Sequence, residues 1–472
     1  MTALLFAVAV LGIPLAFGAP ILRLRSLREL SLPARTALAW VAGTLVLAVL
    51  LTLMAAVGLR WAPWPVLVLA VVPVLGALHM QAPSQSFASA QPELRRWESF
   101  AAGLGAAVIA GAGLMQFSAG AATSADLAYF WGVKAVHFAL DRGMGFEWMQ
   151  LPHLAHLHPN YPPLWPVSLA WGALVSGSMP WALAPMLTWI YLAAAGLFVH
   201  SLLRSAIGRR AATAVACLWF AVVTGSMVQS FSGGSAEGPL LLFVTVAVTT
   251  LVVERRDEEP TLRWLAAGAL AGAVLTKNEG AVAATLVVAG TAVRDWTWGR
   301  STTREAAARR ARQSHRLAVP ALAAGGLWAA IRFAHGVPLA DPIRESALHL
   351  SFDHIDVIFK VCVRLLLSGV SWIGWLVPLV ALAAARPRQP LRVLPGLLVA
   401  GGLPVFAVFY YLHAVHDPLE LIVWTFPRLI QPALSAWIVC LGVLCFGDPS
   451  APTPNPSPGV TSHTAPSRSR TI

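Results

Sequence analysis

Uninterrupted apolar runs follow one another along almost the whole of this 472-residue chain, each close to the length of a membrane crossing. A helix needs about 20 mostly apolar residues to cross the hydrocarbon core of a bilayer. With 57% hydrophobic and only 11% charged residues, the composition fits repeated crossings and does not fit a water-soluble domain. The runs cover 2–22, 37–58, 63–80, 98–118, 181–203, 212–230, 238–253, 262–276, 280–294, 317–335, 359–384, 393–412 and 429–447, which predicts an all-α polytopic membrane protein with about thirteen transmembrane helices. The first run has neither a basic leading region nor a small-residue cleavage site, and a second run follows at once, so it reads as the first membrane helix.

Charge sets the sidedness. Arginines gather at Arg23, Arg25, Arg28 and Arg35, at Arg95 and Arg96, at Arg204, Arg209 and Arg210, at Arg255, Arg256 and Arg263, between Arg294 and Arg316, and at Arg386, Arg388 and Arg392. Short arginine-rich connections stay on the cytoplasmic side, and alternating the thirteen runs puts all of these on one side. The net charge of +12 is thereby accounted for by topology, and no nucleic-acid role is assigned. The apolar piece 164–175 is short and flanked by Pro and Trp, and is read as a re-entrant or interfacial helix within a long outer loop, 119–180. The tail 448–472, rich in Pro, Ser and Thr, is expected to be disordered and cytoplasmic. The four cysteines lie in apolar stretches without ligand spacing and read as small buried hydrophobes.

The same alternation sends the polar remainder outward: 126–163, 232–237, 276–279, 334–356 and 413–428. A transporter would instead place charge or broken helices near the bilayer midplane and show an internal repeat. All three lysines, Lys134, Lys277 and Lys360, fall on the outer side with Arg332, Arg344, Arg364 and Arg428. Cations there run against the usual bias, and a lipid phosphate at the membrane surface is the most economical reason for them. Lys360 and Arg364, one helical turn apart, fit equally well as side chains reaching for headgroups. Asp126 opens the long loop, where a carboxylate can act as a general base on an acceptor hydroxyl or serve as a simple turn or cap residue. Glu237 stands at the start of a later run, and two such acids can serve as base and orienter or hold a divalent cation. His153, His156 and His158 match no zinc spacing and read as the lining of an acceptor groove.

Taken in order, the loop acid Asp126, the Trp131-Gly132-Val133-Lys134 element, the Tyr161-Pro162-Pro163-Leu164 turn, the Glu237-Gly238-Pro239 element and Thr276-Lys277-Asn278-Glu279-Gly280 resemble the GT-C superfamily. Its members include protein O-mannosyltransferases and the lipid A aminoarabinose transferase, polytopic enzymes that use polyprenyl-phosphate sugars. The segment from Leu419 to Leu429, which contains Arg428, is similar to the closing outer loop of bacterial members. The resemblance covers about 98–447 as a catalytic core and leaves 1–97 as additional N-terminal helices.

The resemblance implies a glycosyltransferase that moves a sugar from a polyprenyl-phosphate carrier to a lipid, glycan or protein hydroxyl at the outer face of the membrane, with a bacterial cytoplasmic membrane as the expected location. Asp126 takes the place of the acid that activates or orients the acceptor. Lys277 and Arg428 are placed to neutralise the leaving lipid phosphate, and Glu237, Glu279, Trp131, Lys134, His158 and Tyr161 support donor and acceptor. No cofactor is implied beyond a possible divalent metal, and no residue is assigned as its ligand. Many relatives carry a second acid beside the loop Asp, whereas here Ala125 and Leu127 flank it. A polytopic transporter or lipid-linked-glycan flippase is the alternative; it accounts for the number of helices but not for the one-sided polarity.

Overall fold

The computed structural model describes residues 1–24, 27, 30–80, 111, 124–230, 232–254, 261–300, 304–338, 354–369, 371–384, 390–412 and 418–447. Every regular element among them is helical. The expected run 98–118, apart from residue 111, Arg344 and the tail 448–472 lie outside the described residues.

Six of the described helices are long and apolar enough to cross a membrane: Leu32–Ala56, Ala184–Ile207, Arg209–Gln229, Ser314–Ala334, Leu391–Tyr411 and Thr425–Phe446. The protein is a helical integral membrane protein. Leu32–Ala56 shows how local chemistry sets such a helix. Ser31 accepts a hydrogen bond from the Ala34 amide at 3.4 Å, and Pro33 sits in the first turn, where its missing N–H costs nothing. The 25 residues that follow span roughly 38 Å, enough for the hydrocarbon core with some tilt.

Shorter apolar helices fill the spaces between them: Thr2–Phe17, Pro63–His79, Leu164–Ser176, Glu237–Val253 and Leu262–Thr276. Glu237–Val253 is buried along all 17 of its residues, as befits a helix apolar on every side. It is the axis of the fold, packed against Ala184–Ile207, Thr261–Thr276 and Gln431–Phe446. The first N-terminal helix packs on Leu164–Ser176, and both belong to the same main core.

Two expectations change. The run 359–384 is two helices, Ile355–Leu366 and Ser371–Ala384, bent by 77° at the break. Gly369, in the left-handed region at φ +55°, permits the turn. Ile355–Leu366 is amphipathic, with Asp356, Lys360 and Arg364 spaced four apart and Ile358 and Cys362 buried. It packs against Pro418–Leu429, and with Ala407, Tyr411, Ile422 and Phe426 they build a second, smaller core. Leu164–Ser176 has 13 residues, of which Leu164, Trp165, Val167, Leu169, Ala170 and Trp171 are wholly enclosed by protein. Cys217 is exposed, whereas Cys362 and Cys440 are buried; all four thiols are free.

Candidate functional site

Five ionisable side chains from four separate segments converge at one end of the central helix. Glu237 is that helix's first residue, where a carboxylate meets the positive end of the helix dipole. The loop before it is fixed from both sides: Trp165 donates to the Gly234 carbonyl at 3.0 Å, and the Gly234 amide donates to Thr188 Oγ1 at 2.8 Å. Lys277 occupies the break between Thr261–Thr276 and Asn278–Arg300, with Glu279 in the first turn of the second helix. The Gly280 amide closes this turn on the Lys277 carbonyl at 2.9 Å. A Cβ at Gly280 would stand 1.9 Å from the Ala273 carbonyl oxygen, so only glycine allows the two helices to join so tightly. Asp126 precedes a π-helical turn, Leu127–Trp131, that opens the helix Gly132–Asp141. Arg428 comes from the last turn of Pro418–Leu429.

The charges alternate in space. Asp126 pairs with Arg428, whose Nη1 lies 3.9 Å from Glu237 Oε1. The same Glu237 oxygen takes Lys277 Nζ at 3.0 Å, and Lys277 is 3.2 Å from Glu279 Oε1. The Glu237 side chain is 3% exposed, Lys277 11%, Arg428 and Glu279 15% and Asp126 17%. Three acids against two cations leave a formal surplus of one negative charge. Among the described residues, Glu237 Oε2 and Glu279 Oε2 are buried and make no hydrogen bond that meets the geometric limits. Burial pushes the Asp126 carboxyl above its ordinary value, and the Arg428 charge beside it recovers only part of that shift.

An aromatic brace stands beside this chain of charges. The Tyr161 ring packs 4.8 Å from His158 and 5.7 Å from Trp131, and His158 also meets Phe130 at 5.2 Å. His158 is one of two described non-glycine residues at positive φ, +48°. In that conformation its carbonyl accepts a hydrogen bond from Lys134 Nζ at 2.7 Å. Lys134 is 1% exposed, lies 5.3 Å from the Trp131 ring, and is pulled down to about 7 by burial.

The site residues expected from sequence thus fall into two groups. Asp126, Glu237, Lys277, Glu279 and Arg428 meet; Trp131, Lys134, His158 and Tyr161 form the brace beside them. Carboxylates hold both Lys277 and Arg428. Lys134 donates to the His158 carbonyl. Lys360 pairs with Asp356 at an exposed position, and Arg332 donates to the Asn160 carbonyl at 3.0 Å.

No protein-family model, curated protein or solved structure matches this chain. What the site can do follows from its own geometry. Paired cations next to unpartnered carboxylate oxygens can bind a ligand that is anionic at one point and rich in hydrogen-bond donors at another. An apolar cleft lined by Thr52, Pro163, Leu164, Leu275, Trp328 and Ile331 includes residues two positions from both Tyr161 and Lys277. Among the described residues, no group of three or more His, Cys, Asp or Glu is arranged to hold a metal ion.

A second ionic cluster went unread in the sequence. At the other end of the same helices, Arg294 pairs with Glu254 at 2.7 Å and with Asp295 at 3.1 Å. Arg263 pairs with Glu254 and, at 2.8 Å, with Asp295, which also accepts from Ser314 Oγ at 2.8 Å. Arg294 is fully buried, and Arg392 caps the Val252 and Val253 carbonyls at 2.7 and 2.6 Å. Arg263 and Arg294 had been read as loop arginines. The available signal was an acid next to or near each arginine at the end of an apolar run.

Proposed function

We propose that the protein is a membrane glycosyltransferase that moves a sugar from a polyprenyl-phosphate carrier to an acceptor hydroxyl, at the membrane face where Asp126, Glu237, Lys277 and Arg428 meet. The observation that carries this reading is the buried chain of alternating charge from Asp126 to Glu279, assembled from residues scattered over the sequence. Burying five ionisable groups at one point is costly, and an ionisable cluster perturbed by burial and by its charge partners is a candidate functional site.

In this reading Lys277 and Arg428 stabilise the charge that develops on the departing phosphate, and Asp126 receives the acceptor's proton. The unpartnered oxygens of Glu237 and Glu279 accept hydrogen bonds from sugar hydroxyls, and Tyr161 offers a flat surface beside them. The active face is the periplasmic or exterior side of a bacterial cytoplasmic membrane. The test is chemical: cell-envelope glycans and glycolipids are compared between wild type, a deletion, Asp126→Asn and Lys277→Ala. The deletion and both variants, at normal abundance, should lose the same glycan. Glycans that change in the deletion but stay intact in both variants reject the site.

A further inference from the structure

Arg428 already holds an anion. Its Nη1 binds Asp126 Oδ2, and a phosphate presents the same kind of anionic oxygen to a guanidinium. Counted over these five described side chains, the cluster also carries one surplus negative charge before any ligand arrives. A lipid phosphate added to it unchanged would raise that surplus to two in a buried setting, where like charges repel strongly. Relief must come from a group able to leave. Glu237 is 3% exposed and held by Lys277 at 3.0 Å, and Glu279 is held by the same lysine at 3.2 Å. Asp126 is the most exposed of the five, has Arg428 as its ion-pair partner, and stands just before the π-helical turn rather than inside a regular helix.

We infer that the donor phosphate takes the place of the Asp126 carboxylate on Arg428, and that the displaced Asp126 thereby becomes the base for the acceptor. The inference rests on the lipid-phosphate reading above and adds an order of events to it. While Arg428 holds Asp126, the carboxylate is a weak base. The remaining charges around it are Glu237, which strengthens its hold on a proton, and Lys277, which weakens it. Once Arg428 has turned to the phosphate, burial acts on Asp126 without its main counterweight, and its affinity for a proton rises. With an acceptor in place, Asp126 takes the hydroxyl proton as the new bond from oxygen to the anomeric carbon forms. The bond from that carbon to the phosphate oxygen breaks, and its electron pair leaves on the phosphate that Arg428 holds. Without an acceptor, Asp126 takes its proton from water.

The last statement gives the test. Binding of a polyprenyl methyl phosphodiester, which keeps one negative charge across the neutral range, is measured calorimetrically on the full chain in detergent, in two buffers of different ionisation enthalpy. Wild type should take up a measurable fraction of a proton per lipid bound near neutral pH, and its affinity should fall as pH rises. Asp126→Asn should bind at least as tightly, with no proton uptake and no pH slope. Binding to wild type without proton uptake, or equal uptake in Asp126→Asn, overturns the inference while leaving the lipid-phosphate reading intact. No binding by folded wild type at any pH in that range overturns the reading itself, and the inference with it.

Discussion

Asp126 and Arg428 are separated by 302 residues in the chain and form an ion pair beside the first residue of the central helix. The two partners are not equivalent. Arg428→Gln leaves Asp126 without its partner and Glu237 with one cation fewer, whereas Asp126→Asn removes the surplus acid and leaves Arg428 facing Glu237. Losing one member of a buried pair costs about 3–5 kcal/mol, and the Arg428 change should approach the lower end of that range. The Asp126 change should cost clearly less. Thermal unfolding in detergent of both single variants and the double variant checks this, and the cycle should return a coupling of roughly 0.5–3 kcal/mol.

Gly280 fixes the geometry of Lys277. A methyl group there would meet the Ala273 carbonyl carbon at 2.4 Å as well as its oxygen, and backbone cannot swing aside. Gly280→Ala should therefore destabilise by roughly 1–3 kcal/mol or more and abolish the glycan phenotype together with Lys277→Ala. Gly268, in the preceding helix, has open space around it. Gly268→Ala should be neutral or stabilising by up to about 1 kcal/mol, since alanine is the better helix former. Melting temperatures of the two variants provide the comparison.

The cluster around Arg294 should respond to mutation and ignore salt. Arg294→Met strips Glu254 and Asp295 of a fully buried partner, for an expected loss of about 3–5 kcal/mol. Because the pair is shielded from solvent ions, the loss should be the same at low and at high ionic strength. Lys360→Ala, which removes an exposed pair with Asp356, should produce no measurable change in melting temperature.

Lys134 gives stability a pH dependence of known sign. Its native value is about 7, against 10.5 when unfolded. Between those values the unfolded chain binds more protons than the native one, so stability from this group rises with pH from about 7 upward. Below about 7 both states are protonated and its contribution is flat. The slope is at most about 1.4 kcal/mol per pH unit. Melting curves at pH 6, 7.5 and 9 should show wild type gaining on Lys134→Met over both intervals, and most over the upper one.

The helical, membrane-spanning character of the chain was legible because continuous apolar runs have one physical outcome in lipid. The convergence of Asp126, Glu237, Lys277, Glu279 and Arg428 was legible too, since alternation of runs places them on one side. Their pairing was not. Sidedness says which residues share a surface, while distances of 3.0–3.9 Å depend on crossing angles and on the tight join at Gly280. Position along the chain also hid the bend between Leu366 and Ser371, since both sides of it are apolar. Arg263 and Arg294 were misread for a related reason: charge counting assigns a loop, and cannot distinguish a solvated arginine from one folded back onto Glu254 and Asp295.

That inner cluster has a mechanical consequence. Glu254 caps the helix that Glu237 begins, Arg263 opens the helix that leads to Lys277, and Arg294 and Asp295 lie near the far end of the helix that starts beside Glu279. Each of these helices is a strut pinned at one end by the inner cluster and bearing a site residue at the other. Seventeen residues of helix make the first strut about 25 Å long, so a small tilt at Glu254 becomes a displacement at Glu237 comparable to a hydrogen-bond length. A lesion at one end of these struts should therefore be felt as altered geometry at the other.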